Sequence, residues 1–120
     1  MNIEELRDFC LSLKGTEENC PWTQPQYQML ITFSVAGKWY CLADIDEKRI
    51  NVKCPTDKIP EMQAHYNGCV PAWHMNKTHW LGVNLESDVP DEVIRQLLTE
   101  GHQLIVSRLP KKIKAELKID

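Results

Sequence analysis

The chain has 120 residues, 42% hydrophobic and 26% charged, with a formal net charge of −3. That composition fits one globular domain, residues 1–120, built around one core, and excludes a disordered chain. The mild acidity argues against nucleic-acid binding driven by bulk charge, no apolar run is long enough to span a bilayer, and the acidic start MNIEELRDF lacks the pattern of a signal peptide, so a cytoplasmic protein with no membrane partner is expected.

The first element reads as a helix. Asn2 caps it, Glu5 completes a capping box, and Ile3, Leu6, Cys10 and Leu13 follow helical spacing up to Gly15. Thr16 to Pro25 reads as a connector with two prolines, in which Trp22 covers an edge of the core. A hairpin follows. Met29, Ile31, Phe33 and Val35 alternate with polar or smaller neighbours, Ala36-Gly37 supplies the turn, and Trp39, Cys41, Ala43 and Ile45 alternate with Lys38, Tyr40, Leu42 and Asp44. Asp46-Glu47 makes a second turn before a third strand from Arg49 to Lys53.

Thr56 is placed to cap a short helix that Asn67-Gly68 ends. Leu81, Val83 and Leu85 then mark another strand. Ser87 or Asp88 caps a long helix, with Pro90 in its first turn and Val93, Ile94, Leu97, Leu98, Leu104 and Ile105 as its apolar stripe. Gly101 on that stripe points to close approach of helix and sheet, and Pro110 stops the helix. The tail carries Arg108, Lys111, Lys112, Lys114 and Lys118 and reads as a solvated, frayed end. The order helix, three strands, short helix, strand, long helix gives an α+β domain: an antiparallel sheet, a meander plus a later strand, packed on N- and C-terminal helices.

The five cysteines, Cys10, Cys20, Cys41, Cys54 and Cys69, are odd in number and contain no CxxC pair, so free thiols are expected. The least ordinary stretch is VPAWHMNKTHW, residues 70–80, with two Trp, two His, one Asn and one Lys. Its histidines with Cys69 and His65 match no metal-site spacing, so no metal is assigned. No local signature marks a nucleophile, and no phosphate loop is present. The chain therefore reads as non-enzymatic, without a cofactor. Two readings of the stretch stay open. In one, Lys77 supplies charge, Asn76, His74 and His79 supply hydrogen bonds, and Trp73 or Trp80 stacks on an anionic partner. In the other, His74 and Asn76 bond the loop backbone while the Trp rings close the core. Either way the chain turns near Asn76-Lys77, leaving Lys77 at the surface and Trp80 on the face opposite Leu81.

The run Pro71-Ala-Trp-His-Met-Asn-Lys-Thr-His-Trp80 closely resembles the signature of the MmcQ/YjbR family of small bacterial proteins. Pro21-Trp22, Gly37-Lys38, Lys53 and Leu109-Pro110-Lys111-Lys112 agree with it in order and spacing. The resemblance implies a CyaY-like α+β fold and DNA binding through a double wing of β-hairpins. It carries over His74, Asn76, Lys77, His79 and Trp80 as the candidate binding site. In that arrangement Lys38 stands beside the first hairpin turn and Lys48 and Arg49 beside the second, and with Lys77, Lys111 and Lys112 they would contact phosphates. The alternative is a non-catalytic module whose HMNK loop binds a protein or an anionic small molecule.

Overall fold

The computed structural model describes residues 1–119. Four α-helices, α1 (Ile3–Ser12), α2 (Lys58–His65), α3 (Asp91–Val106) and α4 (Lys111–Glu116), accompany a six-stranded sheet. Its strands are β1 (Thr16–Asn19), β2 (Leu30–Val35), β3 (Lys38–Asp44), β4 (Arg49–Lys53), β5 (Cys69–Pro71) and β6 (Trp80–Asn84). They lie in the order β1-β2-β3-β4-β6-β5, every neighbouring pair antiparallel. The α+β class is thus as the periodicity implies.

Register sorts the side chains into two faces, because paired residues share a face and successive residues alternate. One face carries the rungs Ile31–Ala43–Ile50–Val83–Cys69 and Phe33–Cys41–Val52–Leu81. These residues belong to the main core with Leu6 and Cys10 of α1 and Ile94, Leu98 and Ile105 of α3. At Gly101 the helix comes so close that an added Cβ would stand 3.0 Å from the Lys53 carbonyl oxygen and 3.1 Å from Val52 Cγ2. The opposite face carries Thr32–Leu42–Asn51–Gly82–Val70, with Leu30, Asp44, Arg49 and Asn84 at one end. Among the described residues no α-helix is seen on that second face; the segments 20–29, with a 3-10 turn at Pro25–Tyr27, and 72–79 fold over parts of it, as the contacts of Trp22 with Trp39 and of Asn51 with Trp73 show.

Four features depart from the sequence reading. Residues 16–19 form edge strand β1 rather than the start of a connector, because backbone pairing to β2 needs no apolar alternation. Residues 69–71 form a further short strand, β5, on the far edge. The register of β2 and β3 slips at Tyr40: Phe33 faces Cys41 but Ser34 faces Trp39. This bulge turns Tyr40 toward the helices, where its ring meets His102 edge-on and its hydroxyl donates to the Cys10 carbonyl oxygen at 3.3 Å. Trp39, read from simple alternation as a core partner of Cys41, is thereby moved to the opposite face. Finally, the basic tail is not frayed. It contains α4, whose Ile113 packs against the core together with Leu117 and Ile119 just beyond it.

Candidate functional site

The HMNK loop places its residues in different roles. The Asn51 side chain, fully buried on the uncovered face, donates to the Trp73 carbonyl oxygen at 2.7 Å and accepts from the Trp73 N–H at 3.4 Å. Asn76 builds the turn that follows: its Oδ1 accepts from the Thr78 N–H at 2.7 Å, and its carbonyl oxygen accepts from the His79 N–H at 3.3 Å. His79 shares a hydrogen bond between Nδ1 and Thr56 Oγ1 at 3.3 Å, and its carbonyl oxygen accepts from the Cys54 N–H. Trp80 is buried beneath Lys53, whose Nζ lies 5.5 Å from the ring centroid. Asn76 therefore shapes the turn within the loop, while the His79 backbone and the buried Trp80 tie the loop to the end of β4; the side chains of Asn76 and His79 are themselves exposed. Lys77 and His74 are exposed, and His74 has a backbone φ of +55°, in the left-handed region that His tolerates better than most residues.

The two cysteines near the loop, Cys54 and Cys69, are both buried. Burial pushes the thiols of Cys54 and Cys69 up to about 11, opposite to the shift that makes a cysteine reactive. Among the described residues, no three His, Cys, Asp or Glu side chains converge as a metal site would require.

The candidate phosphate-binding cations divide between two ends of the sheet. Consecutive hairpins in an antiparallel meander have their turns at opposite ends, so the β2–β3 and β3–β4 turns are separated by the length of β3, roughly 23 Å at 3.3 Å per residue. Lys48 and Arg49 lie at the second turn, where they pair with Glu86 at 3.0 Å and Asp44 at 3.7 Å. That end also carries Asp46 and Glu47, and it is acidic. Lys38 lies at the other end. There Lys38, Lys53, Arg108, Ile105 and Leu109 line a hollow of about 290 Å³ with no carboxylate among the described residues that line it. Among the described residues none of its three cations enters an ion pair. Lys111 and Lys112 open α4 just after this wall, and Lys77 belongs to the loop that enters β6 at Trp80, the partner of Lys53. Lys53 and Arg108 thus complete a cluster that the placement of turns alone did not assemble.

A second hollow, of about 240 Å³, lies on the uncovered face. Trp22, Tyr27, Trp39 and Trp73 line it, with Leu30 and Leu42 among its apolar walls and His74 and Met75 at the loop side. Trp22 meets Trp39 edge-on at 5.6 Å between centroids, and Tyr27 lies 6.2 Å from Trp22. The guanidinium carbon of Arg49 sits 4.3 Å above the Trp73 ring. The bulge at Tyr40 creates this wall, which is why periodicity alone did not reveal it.

The family model described as YjbR matches residues 11–104. The chain belongs to the YjbR family. It is 25% identical over 116 residues, 93% of each chain, to the Escherichia coli K12 protein named "Uncharacterized protein YjbR". It is 30% identical over 105 residues to "Uncharacterized protein YyaQ" of Bacillus subtilis 168, spanning 75% of this chain and 86% of that one. The fold also matches that of Deinococcus radiodurans protein DR2400, of domain DUF419, with a TM-score of 0.87 at 28% identity over 99% of this chain and 89% of the other. A Pseudomonas syringae protein matches with a TM-score of 0.75 at 24% identity, covering 88% of this chain and 99% of that one. The YjbR match includes the HMNK loop and the aromatic hollow, while Arg108, Lys111 and Lys112 lie beyond it.

Proposed function

We propose that this YjbR-family chain is a non-catalytic cytoplasmic DNA-binding module that contacts phosphates through one basic end of its sheet. The supporting observation is the hollow lined by Lys38, Lys53 and Arg108, three cations with no carboxylate among the described residues that line it. Lys111 and Lys112 follow its lining residue Leu109 in the chain, and Lys77 belongs to the loop that enters β6 at Trp80, the partner of Lys53. A phosphate oxygen entering there would meet cations whose charge is not already neutralised, and each contact would release counterions. The proposal uses one hairpin tip, the β2–β3 turn, together with the α3–α4 junction. It leaves Lys48 and Arg49 out, because both are paired with carboxylates at the far end.

The test is fluorescence anisotropy of a labelled DNA duplex titrated with the protein over a series of salt concentrations. Lys38→Gln, Lys53→Gln and Arg108→Gln should each weaken binding and lower the salt slope by about 0.9. Lys48→Gln should leave both unchanged. Failure to see saturable binding even at low salt, or an equal effect of Lys48→Gln, would overturn the proposal.

The second reading, a ligand module built on the HMNK loop, gains support at His74 alone of the five motif residues, since His74 lines the aromatic hollow. The charge around that hollow does not suit an anion, as Asp44, Asp46 and Glu47 stand beside it.

A further inference from the structure

The aromatic hollow and an adjoining one form a continuous feature of opposite character to the basic end. The neighbouring hollow, of about 260 Å³, shares Tyr27, Leu30, Trp73 and His74 with the first and carries Asp44, Asp46, Glu47 and Arg49. Arg49 is committed: its guanidinium stacks on Trp73 and pairs with Asp44. Asp46 and Glu47 are exposed and enter no ion pair among the described residues. Three carboxylates against one guanidinium leave this end of the groove negative.

We infer that the groove is a binding site for a small aromatic amine: a flat ring in the Trp22–Trp39–Trp73 hollow, and a protonated amine directed to Asp46 and Glu47. Three observations carry this. The hollow is walled by rings that meet at steep angles, with Trp22 and Trp39 inclined at 64°, so they leave ring edges and faces open to an inserted ring. Its volume of about 240 Å³ lies below the range of drug-sized pockets, which suits a ligand of one or two rings. Its charged rim has the sign that favours a cation, and electron-rich ring faces favour the same sign. An aromatic carboxylate of equal size would meet like charge at Asp46 and Glu47. The assignment is independent of DNA binding, since the basic hollow lies at the other end of the sheet and shares no residue with this one.

The experiment uses the full chain, ¹⁵N-labelled, and follows the tryptophan indole N–H signals by two-dimensional NMR. Tryptamine is titrated in one arm and indole-3-acetate in the other. Tryptamine should shift the signals of Trp22, Trp39 and Trp73 saturably and leave Trp80, which lines neither hollow, in place. Indole-3-acetate should bind about tenfold more weakly, the scale of a partly exposed charge and cation–π contribution. The exposed pair Asp46→Asn with Glu47→Gln, which leaves the hydrophobic wall untouched, should narrow that ratio toward one. Trp39→Leu should abolish the tryptamine shifts. Lys53→Gln with Arg108→Gln should retain them, so that failure here and failure of DNA binding are told apart. Absence of saturation with tryptamine, or equal binding of the carboxylate, would overturn the assignment. So would shifts of the same signals with protein concentration alone, because a second copy would then occupy the face.

Discussion

Asn51→Ala separates the structural from the binding role of the HMNK loop. Asn51 is fully buried and makes two hydrogen bonds to the backbone of Trp73, one of 2.7 Å and one of 3.4 Å. Truncation leaves the Trp73 carbonyl and N–H without these partners. A buried polar group left unsatisfied costs about 1–3 kcal/mol. Trp73 is half-buried, so water restores part of that solvation, and the longer bond contributes less. The expected loss is about 2–3 kcal/mol, or roughly 8–12 °C in Tm at about 4 °C per kcal/mol for a chain of this size. Urea unfolding followed by far-UV circular dichroism gives the free energy, and thermal melts give Tm. Lys77→Ala, at an exposed position in the same loop, should stay within about 0.5 kcal/mol of the parent. If Asn51→Ala costs no more than Lys77→Ala, the buried amide does not anchor the loop, and the assignment of the loop's inner residues to structure is wrong.

Two further outcomes follow from the same packing. Gly82→Ala places a Cβ 2.9 Å from the carbonyl oxygens of both Val70 and Pro71, so β5 must shift; a loss of about 1–3 kcal/mol is expected by urea unfolding, where relieved chain entropy alone would give a small gain. Asp88 accepts from the backbone N–H groups of Asn67 and Gly68, which hold its carboxyl below its ordinary value. Its contribution is therefore present above its unfolded pKa and lost as pH falls through the lower folded one. The urea midpoint of Asp88→Asn should lie below that of the parent near about pH 7, and the gap should close toward about pH 2; a gap that persists unchanged would show that the charge is not responsible.

Much of the fold is legible in the pattern of residues. The capping box at Asn2 and Glu5, the Ala36-Gly37 turn, the strand from Arg49 to Lys53 and the close approach at Gly101 all follow from local chemistry. The edge strands were hidden because Thr16–Asn19 has no apolar alternation and Cys69–Pro71 is only three residues long. The long helix begins at Asp91 after Pro90 rather than under a Ser87 or Asp88 cap, since Asp88 is engaged with the α2–β5 turn. Of the motif, the surface position of Lys77 and the placement of Trp80 on the face opposite Leu81 follow from strand geometry, whereas the burial of Trp80 beneath Lys53 does not. The aromatic groove does not, because a one-residue bulge inverts the face of Trp39 and tertiary folding brings Trp22 to it. Lys53 and Arg108 are 55 positions apart in sequence and meet only when α3 lies on the sheet.

The separation of charge along the strands changes what a polyelectrolyte experiences. The molecule is 40 Å in its longest dimension. In dilute salt, near 0.01 M, the screening length is about 30 Å, so an approaching duplex senses almost the whole chain and its net charge of −3. At physiological salt it is about 8 Å, and the duplex senses only the end it approaches. Under the proposed DNA binding, added electrolyte would do two opposed things: it would weaken each phosphate contact, and it would hide the acidic pole from a duplex at the basic one. The molecule behaves as a local cation where its total charge would make it an anion.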